Sequence, residues 1–186
     1  RDLEVYALVT AGVATNAMRS SLDTGNYYEP GTINIILLTN TRLSSRAMAR
    51  AIISATEAKS AALNDLDIRS TYTPERQATG TGTDNILIVQ GEGVGIDNSG
   101  GHTKMGELIA RAVYDGVREA IAKQNGITAN RSVFTGLKER KIDLWEILPG
   151  IMDDCSLNKL QLVVALENIL LQPEYASFMM GSFAVS

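Results

Sequence analysis

Gly31–Asn40 (GTINIILLTN), followed three residues later by Leu43–Leu66 (LSSRAMARAIISATEAKSAALNDL), decides the fold. The first stretch is too short for a helix of ordinary length and is rich in Ile and Leu. Its continuous apolar run from Ile33 to Leu38 predicts a strand buried on both faces. The second stretch repeats with helical period. Met48, Ile52, Ala55, Ala62 and Leu66 form its stripe, and Ser44 is the expected N-cap. A strand feeding a long amphipathic helix is the unit from which layered sheet-and-helix folds are built.

Further elements flank this unit. Glu4–Thr10 (EVYALVT) predicts a strand that exits at Ala11-Gly12. Ser20–Pro30 predicts an exposed loop. Ile86–Gln90 (ILIVQ) predicts a third strand, and Gly91–Gly101 a glycine-rich loop. Thr103–Lys123 predicts a second long helix carrying Met105, Leu108, Ile109, Ala112, Val113, Val117, Ala120 and Ile121 on its apolar side. Thr103 is its expected N-cap and Gly126 its stop. Helices are then expected over Leu137–Leu148 and Ser156–Leu171, the latter behind Asp153-Asp154, with a last turn or two from Glu174. The order implies one α+β or α/β domain over residues 1–186, a mixed β-sheet layered with helices and a helical C-terminal tail.

Composition narrows the function classes. The 186 residues carry 17 Lys+Arg against 21 Asp+Glu, with one His and one Cys. A net negative charge argues against general nucleic-acid binding, which needs clustered cations. No apolar run approaches the ~20 residues of a membrane span. A lone Cys155, expected to be a passive thiol, forms no internal disulfide, and one His with one Cys makes no Cys/His zinc cage. No signal segment stands at the start, so a cytoplasmic protein is expected. The chain opens at Arg1 almost directly on a strand, so its natural start is expected to be missing. Apolar helix faces on a short chain suggest a homodimer.

Four places can carry chemistry. Thr79-Gly80-Thr81-Gly82-Thr83-Asp84, if extended, puts three hydroxyls on one face and leaves the other bare at Gly80 and Gly82, where a ligand or another backbone can approach. It is equally a glycine-rich strand entry. His102, the single imidazole, stands behind Gly100-Gly101 at a helix N-terminus, which favours the neutral form a general base needs. An ordinary capping role is its other reading. Thr15 and Asn16 can present a hydroxyl and an amide where the first strand ends, or simply form its exit. Lys59 falls within the apolar stripe of the first long helix, about 20° from Met48 at 100° per residue. It must be paired, line a polar site, or lay its stem on the core while its amine reaches water, and the last is the reading favoured. Glu57 leaves the helix on the opposite side. Gly91-Glu92-Gly93-Val94-Gly95-Ile96 fails the dinucleotide fingerprint, because Ile96 stands where a Gly is required.

Five segments in order resemble the adenosylcobinamide amidohydrolase family. They are Gly12-Val13-Ala14-Thr15-Asn16-Ala17, Gly31-Thr32-Ile33-Asn34-Ile35, Thr56-Glu57-Ala58-Lys59, Thr79–Asp84 and Gly101-His102-Thr103-Lys104-Met105-Gly106-Glu107. Gln172-Pro173-Glu174-Tyr175-Ala176 extends the likeness into the tail. Gly101 departs from it, standing where a Lys is expected. The resemblance implies salvage of incomplete corrinoids: cleavage of the amide joining aminopropanol to the corrin ring of adenosylcobinamide, giving adenosylcobyric acid. The substrate is a corrinoid whose cobalt is its own, and no cofactor or metal is expected for the protein.

The expected catalytic set is His102 as base, Thr81 or Thr83 as candidate hydroxyls, Asp84 orienting the His, and Lys59 with Asn16 steadying the oxyanion. Glu57 joins it only through another element or subunit. Thr15, Asn16, Asn34, Thr79, Gly80, Gly82, Gly101 and Thr103 are the expected substrate contacts. The catalytic proposal requires the threonine run and His102 to share a pocket. A metal-assisted version would use His102, Asp84 and Glu57 as ligands. Competing classes are a corrinoid-binding module without catalysis and a different amidohydrolase or threonine-dependent acyl transferase.

Overall fold

A computed structural model describes residues 2–24, 30–148 and 157–183. The chain divides into two compact units, 1–129 and 130–186.

In the first unit β1 (Val5–Ala11), β3 (Ile33–Thr39) and β6 (Asn85–Val89) form a mixed three-stranded sheet in the order β1-β3-β6. β1 is antiparallel to β3, and β3 is parallel to β6. A parallel neighbour requires a crossover, and α1 (Ser45–Asp65) provides it. Two small ladders flank the main sheet: β2 (Ala17–Met18) with β5 (Gly80–Thr81), and β4 (Arg42–Leu43) with β7 (Gly95–Ile96). α2 (Lys104–Asn125) follows, and lies against β1 and α1.

The sheet is covered on one side. Ile33, Ile35 and Leu37 are buried with the inward residues of β1 and β6 beneath α1 and α2. The expectation that β3 is buried on both faces is corrected: Ile36 is exposed and Leu38 half-buried. A two-layer arrangement leaves the outer face open, and alternation is then the rule even where both faces are apolar.

α1 begins where expected, with the Ser44 side chain accepting from Ala47 N. Its buried face is made of Ala47, Ala51, Ala55, Ala58 and Ala62 with Leu63, while Ile52 is exposed. Small side chains let α1 and α2 approach closely, so the alanines win the interface over the bulkier Met48 and Ile52. α2 buries Met105, Ile109, Val113, Val117 and Ile121 at i, i+4 spacing. Thr103 caps its start, and Gly126 ends it in the left-handed conformation at φ 66°.

The second unit contains α3 (Val133–Glu139), α4 (Leu144–Ile147), α5 (Lys159–Leu170) and α6 (Pro173–Phe183). Val133, Leu137, Leu170 and Phe183 form its core. The single helix expected over Leu137–Leu148 is broken. Lys141 adopts φ 53°, and Asp143 restarts the chain as the cap of α4. α5 starts at Lys159, behind a capping box of Asn158 and Gln161, rather than at Ser156. α6 runs longer than the turn or two expected. Cys155 and the Asp153-Asp154 pair lie outside the described residues, as do residues 25–29 of the expected loop.

Candidate functional site

The end of the sheet formed by the C-terminus of β1 and the N-termini of β3 and β6 gathers most of the singled-out residues. Lys59 projects from α1, and its ammonium donates to Asp84 Oδ2. Both side chains are largely buried, at 9% and 15% exposure. Lys59 is therefore paired, and its stem does not carry the amine out to water. Removing a charge from solvent is costly unless a counter-charge and hydrogen bonds replace the water, and here both do.

Asp84 is held on every side. Its Oδ1 accepts from Ile33 N at 3.1 Å and from Thr81 Oγ1 at 2.5 Å, and Thr81 N lies 3.1 Å from both carboxylate oxygens. Gly80 makes this possible. A Cβ there would collide with Asp84 Oδ2 and lie 2.6 Å from Lys59 Nζ. The bare side expected at Gly80 is thus filled by the ion pair.

The threonine run does not present a row of hydroxyls. A turn at Gly82-Thr83 ends the extended stretch after Thr81. Thr79 Oγ1 accepts from Ser20 N at 3.0 Å, and Thr83 Oγ1 donates to Gly31 O at 3.1 Å. Thr83 is exposed and Thr81 buried. Gly82 packs 3.6 Å from the Asn16 amide and from Met18 Sδ, measured from where its Cβ would stand.

Asn16 is fully buried beside them. Its Nδ2 donates to Gly31 O at 3.3 Å, and its Oδ1 accepts from Tyr72 Oη at 2.7 Å. Gly31 takes φ 129°, and a Cβ would stand 3.1 Å from both Asn16 Cβ and Gly12 O. Only glycine meets both demands. Thr15 is exposed and donates to Pro30 O. Asn34 sits on the outer face, where Nδ2 donates to Thr10 Oγ1 at 3.4 Å.

Tyr72 and Asp23 escaped the sequence reading. Asp23 anchors the neighbouring loop, accepting from Ser70 Oγ at 2.6 Å and from Thr73 Oγ1 and Arg19 N at 2.5 Å each. Burial pushes its carboxyl up, but the Ser70, Thr73 and Arg19 hydrogen bonds outweigh it and hold the group below its ordinary value. Neither residue has a local signal, since Tyr72 meets Asn16 across 56 positions and Asp23 meets Ser70 across 47.

His102 lies elsewhere. α2 runs along the sheet in the same sense as β1: Gly116 packs on Val9, and Asn125 Oδ1 accepts from Val13 N at 3.2 Å. The C-terminus of this 22-residue helix is therefore near Val13, and its N-terminus, with His102, is about 33 Å away along the axis. There the exposed His102 places Nε2 3.3 Å from Asn98 Nδ2. A Cβ on Gly100 would meet both Arg50 and the His102 ring, and Arg50 is about 14 Å back along α1 from Lys59. Among the described residues no hydrogen bond joins His102 to the threonine run, and Asp84 does not orient the imidazole. Its acceptor positions are taken by Lys59, Thr81 and Ile33.

Thr103 spends its hydroxyl on the cap, accepting from Gly106 N at 3.0 Å and donating to Gly100 O at 2.8 Å. Gly101 is exposed with open space where a Cβ would be. Glu57 is exposed on α1, away from the Lys59 face. Among the described residues no three His, Cys, Asp or Glu side chains gather as metal ligands, so His102, Asp84 and Glu57 do not form the set considered for a metal.

The first unit is thus a two-layer α/β protein with a buried Lys–Asp–Thr centre at one sheet end, walled by the Asn16 amide and two glycines whose side-chain positions are already occupied. The profile of the adenosylcobinamide amidohydrolase family matches residues 1–129, and the chain belongs to that family. It is also 50% identical over 144 residues to a Methanocaldococcus jannaschii protein described as uncharacterized, a match covering 68% of this chain. The chain spans 56% of that relative's length. No solved structure matches it. Among the described residues no helix is long and apolar enough to cross a membrane.

Proposed function

We propose that the protein hydrolyses the amide joining aminopropanol to the corrin ring of adenosylcobinamide, and that the Lys59–Asp84–Thr81 centre performs the proton transfers. The observation that carries this is the convergence of Asn16, Gly31, Lys59 and the Thr81–Asp84 turn, from four separate segments, on one sheet end. A buried acid–base pair with a hydroxyl hydrogen-bonded to its carboxylate is equipped for the proton transfers of amide cleavage.

Water adds to the carbonyl carbon, and its proton passes by way of the Thr81 hydroxyl to Asp84. The C–N bond then breaks, and Lys59 gives a proton to the departing amine. The proton held by Asp84 returns to Lys59 across their hydrogen bond, so the pair ends as it began. Asn16 and the backbone around Gly31 supply the polar wall of the site. The products are the corrinoid carboxylic acid and aminopropanol, as corrinoid salvage requires.

The lone imidazole makes none of this centre's contacts among the described residues, which favours a second reading in which the protein binds a corrinoid without cleaving it. Incubation with adenosylcobinamide followed by mass spectrometry separates the two. Hydrolysis produces a new corrinoid carboxylic acid that is absent with Asp84→Asn. A tight complex with no product supports the binding module instead.

A further inference from the structure

The outer face of the β1-β3-β6 sheet is a regular grid. Strand register aligns Tyr6, Leu38 and Val89 in one row, Leu8, Ile36 and Leu87 in the next, and Thr10, Asn34 and Asn85 in a third. Five of the six apolar members are 37–59% exposed. Adjoining rows of exposed apolar side chains rimmed by polar ones are the kind of surface that binds a ligand or partner. The third row is a chain of polar groups: Asn85 Nδ2 lies 3.4 Å from Asn34 Oδ1, and Asn34 Nδ2 3.4 Å from Thr10 Oγ1. These contacts are long, so the amides retain capacity for a ligand. The row adjoins the catalytic turn directly, since Asn85 Nδ2 also donates to Thr83 O at 2.9 Å.

We infer that this face is the platform for the corrin ring: the macrocycle lies on the two apolar rows, and its peripheral carboxamides meet Thr10, Asn34 and Asn85. Three features fit that occupant better than a protein. The grid carries no charged side chain, as suits a flat, carboxamide-fringed ring. Three strands by three rows measure about 14 by 20 Å at ordinary strand spacings, the scale of a single flat macrocycle. The polar row lies beside Thr83, at the same end of the sheet as the Lys59–Asp84 centre, so a ring seated here turns an amide-bearing edge toward that end. A groove of about 360 Å³ extends the platform around the free edge of β1, lined by Leu8, Thr10, Asn34 and Ile36 and by the Glu119–Lys123 ion pair of α2.

The inference rests on the corrinoid reading above, and one experiment distinguishes the failure of either. Leu8→Ser and Leu87→Ser, both at exposed positions, are compared in the full chain with wild type and with Leu160→Ser, an exposed leucine of the second unit. The readouts are equilibrium dialysis of adenosylcobinamide, followed by its visible absorption, and KM for its cleavage. The expected result is at least tenfold weaker binding in both platform variants, an unchanged melting profile, and no effect of Leu160→Ser. If wild type binds or cleaves the corrinoid and both platform variants match it, the platform is overturned while the corrinoid reading stands. The platform is likewise overturned if sedimentation shows a wild-type dimer that the variants abolish without loss of corrinoid binding. If wild type neither binds nor cleaves any corrinoid, both fall.

Discussion

Lys59 Nζ and Asp84 Oδ2, 25 residues apart in the chain, meet in a hydrogen-bonded ion pair directly against the α-carbon of Gly80. The pair ties the middle of α1 to the turn that opens β6. Removing either partner leaves a buried charge without its counter-ion, at a cost of about 3–5 kcal/mol. Lys59→Met and Asp84→Asn are each expected to lower unfolding free energy and abolish turnover. The double variant Lys59→Met/Asp84→Leu is expected to regain much of the stability but none of the activity. Denaturant titration alongside product formation checks this, and recovered activity in the double variant would remove the pair from the mechanism.

Gly80→Ala is expected to destabilise by about 1–3 kcal/mol, the usual cost of forcing extra volume into a packed site. The added methyl occupies the space that Lys59 and Asp84 share. Gly101→Ala, where a Cβ meets nothing within 4 Å, is the matched control and is expected to melt with wild type.

Tyr72→Phe removes the hydrogen bond to the buried Asn16 Oδ1 and is expected to cost about 1–3 kcal/mol. Because Asn16 walls the site, KM should rise more than kcat falls. Equal losses in both would indicate that Asn16 contributes only to folding.

Asp23 predicts acid sensitivity. Its carboxyl titrates below the ordinary value in the folded protein, because the Ser70, Thr73 and Arg19 hydrogen bonds outweigh the effect of burial. A depressed folded value means the stabilisation is fully present above the unfolded pKa and is lost as pH falls through the folded one. Unfolding free energy measured from pH ~6 down to pH ~2 should therefore fall more steeply in wild type than in Asp23→Asn, and the two curves should converge at the acid end. Parallel curves would contradict the assignment.

His102→Ala is expected to keep turnover within about tenfold of wild type, since a general base contributes ~10²–10⁴ and His102 is bonded to Asn98, not to Asp84 or Thr81. A loss of a hundredfold or more would place the proton transfer at the His102 end and displace Lys59 and Asp84 from it.

The elements of the first unit were legible because each is encoded locally. Short apolar runs rich in β-formers marked β1, β3 and β6. Ser44, Thr103 and Gly126 marked helix ends by the side-chain or backbone chemistry each end requires. The break at Lys141 was not legible, since a helix-compatible sequence was interrupted by packing and by a cap at Asp143. The open outer face of β3 was hidden for a related reason: a run of Ile and Leu is the same whether one layer or two covers it.

What the sequence alone determined is which residues are chemically unusual: a lysine in an apolar stripe, a Thr/Gly run ending in Asp84, an amide at a strand exit, a single imidazole. Tertiary structure decided which of them meet. Lys59 faced three options that only the position of Asp84 could resolve, because a buried ammonium takes whatever counter-charge the fold brings within reach. His102 and Asp84 carried equally strong local signals, yet the loop bearing His102 packs on α1 near Arg50, about 14 Å along the helix from Lys59. Side-chain chemistry is written residue by residue, whereas distance is set by the direction in which whole helices and strands run.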